Sequence, residues 1–202
     1  MFITVEGIEG CGKSTLIAGL SDRLRAPGKE IIVTMEPGGT PTGEAVRRIF
    51  LEPGTGIAPL TEALLINAAR AQHVVERIEP ALRRGALVLC DRFIDSTLAY
   101  QGYGRGLDLA FLRRLCDAAT GGLTPDLTIL LDLPVAISRM RVSSRLAGLD
   151  RMEALDDAFH ARVRDGFLEL AHDAPRFRTL DATRPPEELA AVALDLIAQF
   201  VA

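Results

Sequence analysis

The run Gly7-Ile8-Glu9-Gly10-Cys11-Gly12-Lys13-Ser14-Thr15 constrains this chain more than any other feature. It follows the apolar stretch Phe2-Ile3-Thr4-Val5 and opens an apolar-periodic segment that reaches Leu24, so a strand feeds a tight loop and the loop feeds a helix. Four residues separate Gly7 from Gly12-Lys13-Ser14. That is the spacing of a P-loop, in which small residues let backbone N–H groups close around phosphate oxygens. A helix beginning near Lys13 adds the positive end of its dipole to the same anion. Lys13 is placed to reach the outer phosphates and Ser14 offers a hydroxyl to Mg²⁺, which is why an ammonium and a small hydroxyl side chain follow the last glycine.

The rest of the chain repeats this alternation. Short runs rich in β-branched residues at Phe2–Val5, Ile31–Thr34, Leu87–Cys90, Thr128–Leu131 and Phe177–Leu180 predict five strands. Helical periodicity between and after them predicts helices at Lys13–Leu24, Gly43–Leu51, Thr61–Arg84, Leu109–Ala119, Val135–Arg145, Arg151–Ala171 and Pro186–Val201. The pattern is that of an α/β fold, a five-stranded parallel sheet with helices on both faces. In the helix from Arg151, Leu155, Phe159, Val163, Phe167 and Leu170 fall on one buried face, while Asp156, Arg162, Arg164 and Asp165 point to solvent. Pro37-Gly38-Gly39, Glu52-Pro53-Gly54-Thr55-Gly56 and Gly102-Tyr103-Gly104-Arg105-Gly106 mark loops. With no repeat and no linker-like tract, residues 1–202 read as one domain, with 139–153 as a lid segment.

Ligands of an open parallel sheet sit beyond the carboxyl ends of its strands. After the second strand comes Glu36-Pro37, and after the third comes Asp91-Arg92. Asp91 is placed as the acidic partner of the metal and Arg92 as the holder of a second phosphate. Arg70 shares a helical face with Ile66 and Asn67, where it either solvates a surface or joins Arg92 in a clamp for an acceptor nucleotide. Arg139, Arg141, Arg145 and Arg151 surround Ser143-Ser144 and Ala147-Gly148, either as a charged helix end or as a mobile segment that closes over the transferring group and excludes water.

A formal net charge of −4 argues against an extended nucleic-acid surface, although small phosphate ligands need only local positive charge. Only Lys13 and Lys29 are lysines, so the basic residues are overwhelmingly guanidinium groups. Cys11, Cys90 and Cys116 form no paired framework, which fits a reducing compartment; Cys11 is either an oxidisable thiol or a small filler in the loop. With no signal peptide in view and no apolar run of membrane-spanning length, the expected location is the cytoplasm, away from membranes. A guanine-reading switch of the Asn-Lys-x-Asp type is excluded, because the only asparagine is Asn67 and Ala68 follows it.

In order along nearly the whole chain, the P-loop, Glu36-Pro37-Gly38-Gly39-Thr40, Asp91-Arg92-Phe93-Ile94-Asp95-Ser96-Thr97-Leu98-Ala99-Tyr100-Gln101-Gly102 and Asp150-Arg151-Met152-Glu153 resemble the motifs of thymidylate kinases. The lid arginines, with none in the P-loop, resemble the bacterial type. The resemblance implies phosphoryl transfer from ATP, with Mg²⁺, to dTMP, giving dTDP and ADP for dTTP synthesis. It implies nucleotide contacts along Gly7–Thr15, and catalytic roles for Lys13, Arg92, Arg145 and Arg151. Glu9 would bind near the sugar 3′-hydroxyl, and Arg70 and Arg92 would hold the monophosphate. Ser96, Thr97, Tyr100 and Gln101 would contact thymine and deoxyribose, with Glu36, Pro37 and Ile66 in the same pocket and adenine near Ala182-Thr183-Arg184. Two positions depart from the family: Ile66 stands where a phenylalanine usually stacks on the base, and Met35 where bacterial members commonly have arginine. The alternatives are a related kinase with shifted base preference, for dUMP or another nucleotide, and a diverged binding protein without turnover. The family is typically homodimeric, and the apolar positions Leu64, Leu65 and Leu112 are either dimer contacts or core.

Overall fold

A computed structural model describes residues 1–25, 30–144 and 148–201. Five parallel strands, β1 (Phe2–Glu6), β2 (Ile31–Met35), β3 (Leu87–Asp91), β4 (Leu127–Asp132) and β5 (Phe177–Asp181), form one sheet in the order β2-β3-β1-β4-β5. Each predicted run is a strand. The register sets Val5 beside Asp91 and Met35 beside Asp91, so the loops that follow β1, β2 and β3 leave the sheet at one level.

The central strands β3, β1 and β4 are buried on both faces, whereas the edge strands β2 and β5 are partly exposed. Helices α1 (Lys13–Leu24) and α9 (Pro186–Val201) cover one face, where Leu16, Ile17 and Leu20 meet Ile3, Val5, Leu89, Ile129, Leu131, Ala193 and Ile197. On the other face Phe2, Val88 and Cys90 pack against Val74, Ile78 and Phe93. Next to them Leu130 and Phe177 pack among Phe159, Val163 and Phe167 of α8 (Asp157–Asp173). Burying an aliphatic or aromatic side chain contributes roughly 1.5–3 kcal/mol, so these layers dominate what holds the loops in place.

Local chemistry sets the helix ends. Helix α2 (Pro41–Leu51) begins with proline at its first turn, and the Thr40 hydroxyl accepts from Gly43 N at 3.0 Å. Asp108 caps α6 (Leu109–Thr120), which ends on Gly121 at φ 63°. The long predicted helix starts at Pro59 as α3 (Pro59–His73), widens into a π segment at Val74–Ile78 and continues as α4 (Glu79–Arg83). The wide turns fall immediately before Pro80, whose ring cannot sit against the carbonyl four residues back in a regular helix. Helix α7 spans Val135–Ser143.

Two expectations of local structure are corrected. The stretch from Gly102 is helical where a loop was expected: α5 (Ile94–Thr97) runs into a π segment, Leu98–Gly104. A Cβ on Gly104 would lie 2.7 Å from the ring of Phe159, and one on Gly102 2.4 Å from Leu109, so these glycines serve close packing against α8 and α6. The helix predicted from Arg151 begins at Asp157, because the Asp156 carboxylate accepts from Phe159 N at 2.7 Å and so caps it there. Upstream, the Asp150 carboxylate accepts from Met152 N and Glu153 N, which turns the chain and folds Arg151 inward.

Candidate active site

A cleft of about 340 Å³ opens at the carboxyl ends of β1, β2 and β3. Its walls include Glu9, Gly10, Lys13 and Ser14 from the first loop, Glu36 and Pro37 from the second, Asp91, Arg92, Ser96, Tyr100 and Gln101 from the third, and Ile66 and Arg70 from α3. The P-loop closes on itself. Lys13 Nζ donates to the carbonyls of Gly7 and Ile8, each at 3.1 Å. Gly7 takes φ 137°, and a Cβ there would lie 2.5 Å from the Leu131 carbonyl of β4, so no other residue fits this close approach. The Ser14 hydroxyl donates to Asp91 at 3.1 Å, which joins the start of α1 to the end of β3. Beside the loop, Cys11, Gly12, Thr15, Arg141, Ala182 and Arg184 line a second cleft of about 270 Å³.

The third loop is built around Arg92, which holds φ 71°, a left-handed conformation that non-glycine residues seldom adopt. Arg92 N donates to Val5 O at 3.1 Å, and Phe93 N donates to the buried Glu6 carboxylate at 2.7 Å, so the strained residue is pinned on both sides. Its guanidinium donates to Ser96, to Glu9 and to the Tyr100 hydroxyl, while Tyr100 donates to Glu9 at 2.6 Å. These bonds leave Arg92 Nε and one Nη1 hydrogen without a partner among the described residues.

Charge in this cluster is sorted by environment. Burial, reinforced by Asp95, raises the Glu6 carboxyl to about 8. Burial would also raise Glu9, but contacts from His160, Arg92, Lys13 and Tyr100 outweigh it and hold Glu9 below the usual carboxylate range. Burial pushes the Tyr100 phenol up, so it remains a neutral donor. Burial opposes the charge on Arg92, but its coupling to the ionisable groups Tyr100, Glu9, Asp91 and Glu6 outweighs burial and shifts the guanidinium upward.

Arg70 is not a surface cation: it is 1% exposed. Nε donates to Glu36 at 2.7 Å, Nη1 to Asn67 and Thr97 at 3.0 Å each, and Nη2 to Phe93 O at 3.0 Å. Of the five hydrogens that a guanidinium carries, one on Nη2 remains unpaired among the described residues. Glu36 also meets His73 Nδ1 at 3.0 Å, and His73 Nε2 meets the Thr34 hydroxyl at 2.6 Å, so the network is anchored in β2. A Cβ on Gly39 would lie 2.5 Å from that imidazole, which leaves only glycine there.

Thr97 lies behind the cleft as a partner of Arg70. Ile8 is buried in the core beside Ile66. Arg151 is buried against Phe50, donating to its carbonyl at 2.7 Å and to Glu62 at 2.5 Å. Arg139 pairs with Asp157, and Arg141 donates to Gly10 O and Ala182 O between the two clefts. Arg145 lies outside the described residues. Met35 is 44% exposed at the cleft edge. Arg164, expected to be solvated, makes a forked pair with Asp132.

Sequence reasoning missed Glu6, Glu62, His73, Arg105 and His160. For two of them a signal existed: Glu62, Ile66, Arg70 and His73 follow one another at spacings of four, four and three on α3, so the carboxylate and the imidazole share the face of the residues already singled out. His160, 3.3 Å from Glu9, comes from the far side of the chain and left no local signal.

The family model for thymidylate kinase matches residues 5–192. A thymidylate kinase of Deinococcus radiodurans is 56% identical over 192 residues, covering 95% of this chain and 93% of the relative. One from Thermomicrobium roseum is 54% identical over 190 residues, covering 94% and 90%. The crystal structure of thymidylate kinase from Ehrlichia chaffeensis superposes with a TM-score of 0.78 at 34% identity, covering 98% of each chain.

Proposed function

The chain belongs to the thymidylate kinase family and transfers a phosphoryl group from ATP to dTMP, giving dTDP and ADP; from that premise we propose how its own residues perform the transfer. The observation that carries the assignment is that Lys13, Arg92 and Arg70 line one cleft, and that both guanidinium groups keep hydrogens without a partner among the described residues. The donor nucleotide lies along Gly7–Thr15, with its base in the second cleft beside Ala182 and Arg184. On binding, Lys13 exchanges the carbonyls of Gly7 and Ile8 for phosphate oxygens, to which it offers full charge.

At the acceptor end Arg92 holds the monophosphate through its two free N–H groups and Arg70 adds one more. A phosphate monoester is largely dianionic at neutral pH, so its oxygen attacks without a protein base. Positioning and charge stabilisation then carry the reaction. Glu9 and Tyr100 bracket the sugar, with Glu9 toward the 3′-hydroxyl and the Tyr100 ring against the position of a 2′-hydroxyl. The thymine edge meets Gln101 and Ser96, with Ile66 against its face. Of the proposed lid, residues 139–153 of a single kinase domain, Arg141 lies at the donor side against Gly10 O, whereas Arg151 is tied to Glu62 and does not line the cleft.

The Ser14–Asp91 pair fits a hard divalent cation, since it offers two oxygen ligands where the P-loop meets β3. Both residues would hold Mg²⁺, which when bound neutralises charge on the phosphate oxygens. Exposed Ile49, Leu60 and Leu64 on the packed pair α2 and α3 form the surface proposed for a homodimer, whereas Leu112 is fully buried in the core. Among the described residues no helix is long and apolar enough to cross a membrane. The reaction is placed in the cytoplasm, where the nucleotide pool lies.

The test is ADP release from ATP and Mg²⁺ with dTMP, dUMP, dCMP, dGMP, dAMP or no acceptor, with Lys13→Ala as a blank. Turnover is expected with dTMP above the others and not with the variant. Folded, ATP-binding protein that releases no acceptor-dependent ADP would overturn the assignment.

A further inference from the structure

Gln101 lines the cleft yet is fully buried, and its side chain makes one hydrogen bond among the described residues: Nε2 donates to Glu62 at 3.2 Å. Its Oε1 has no partner among them. A buried carbonyl oxygen left without a donor is costly, and one beside a ligand cleft is satisfied when the ligand brings an N–H. The orientation of this amide is decided chemically. Glu62, also fully buried, accepts from Arg105 Nη2 at 2.7 Å, from Arg105 Nε at 3.1 Å and from Arg151 Nη1 at 2.5 Å. A carboxylate held by two guanidinium groups offers only acceptors, so it must face the NH₂ end of Gln101 and leave the carbonyl end free.

We propose that Glu62 is a specificity-determining positioning residue, which fixes Gln101 with its carbonyl toward the acceptor base and thereby selects a pyrimidine whose N3 carries a proton. The inference rests on the placement of the thymine edge at Gln101. Thymine and uracil present N3–H as a donor to that oxygen. Cytosine presents a bare N3, and two acceptors then face each other in a dry site. A polar group left unpaired in this way is a strong basis for rejecting a substrate. Arg105 and Arg151 reach Glu62 from two separate segments, so the selecting amide is held by the third loop, α3 and the turn after Asp150 together.

Glu62→Gln offers both a donor and an acceptor, so it lets the Gln101 amide turn over. The readout is the ratio of kcat/KM for dTMP to that for dCMP, because a general loss of packing lowers both and leaves the ratio alone. The ratio is expected to fall at least about tenfold in Glu62→Gln and in Gln101→Leu. A fall in Gln101→Leu with a ratio unchanged within about twofold in Glu62→Gln would overturn the role of Glu62. An unchanged ratio in Gln101→Leu would instead overturn the placement of the base. Should Glu62→Gln give no cooperative thermal transition, the Gln101 side-chain NH₂ of the wild-type enzyme carries the test by NMR. Slow exchange with water is expected both with and without dTMP, and protection that arises only with dTMP would put the donor end in the cleft and overturn the proposal.

Discussion

Replacing Arg70 with methionine should unfold the protein far more readily than removal of a surface cation. Methionine fills much of the same volume but satisfies none of the partners. It leaves the buried Glu36 carboxylate without its guanidinium, and it orphans the Phe93 carbonyl and acceptors on Asn67 and Thr97. Removing one partner of a buried ion pair typically costs about 3–5 kcal/mol, a large share of the total stability of a single domain. For a chain of this size that corresponds to a drop in melting temperature of roughly 6–20 °C. The assay is urea unfolding followed by two probes, with coincident transitions required before a free energy is taken. Glu36→Leu in the Arg70→Met background removes the stranded charge, so the double variant should be more stable than the two single effects summed, by at least about 1 kcal/mol. A single Arg70→Met variant within about 1 kcal/mol of wild type would refute the reasoning, since it would mean that the guanidinium is not built into the core.

Ile66→Phe restores an aromatic face at the cleft wall, and stacking worth about 1–3 kcal/mol should lower KM for dTMP by roughly tenfold with kcat little changed; an unchanged or raised KM in steady-state kinetics would show that Ile66 already packs as well. Glu6 binds a proton in the folded protein up to about pH 8 but releases it near 4.5 when unfolded, so its contribution to stability declines as pH rises from about 5 to about 8. Glu6→Gln mimics the protonated acid and keeps partners for Phe93 N and Ser96, so thermal melts should show the variant gaining on wild type across that window; a constant difference would disprove the raised carboxyl. Leu60→Glu with Leu64→Glu, at positions 47% and 49% exposed, should convert a dimer to monomer by sedimentation velocity while the fold survives, and a wild-type protein that already sediments as monomer would sink that surface.

The sheet was legible because a parallel strand buried on both faces must be a short apolar run, as β1, β3 and β4 are, while the partly exposed edge strands β2 and β5 were marked by β-branched and aromatic residues at the same spacing. The P-loop was legible for the same kind of reason: a strand, a glycine spacing and a helix start are all local. The π segments were not, because they answer to Pro80 and to the close packing of Gly102 and Gly104 on neighbouring helices. Spacing along α3 placed Arg70 beside Ile66, but whether it faced water or core depended on Glu36, Thr97 and Phe93 arriving from other segments.

The amino-acid order by itself therefore determined the alternation of strands and helices, the phosphate loop and the set of groups that gather after each strand. Tertiary structure decided what those groups are bonded to. Arg151 meets Glu62 across 89 residues and Tyr100 meets Glu9 across 91, and pairs so distant leave no periodic trace. Such contacts exist only once the apolar layers have closed, because a desolvated carboxylate must then find a donor wherever the fold has brought one.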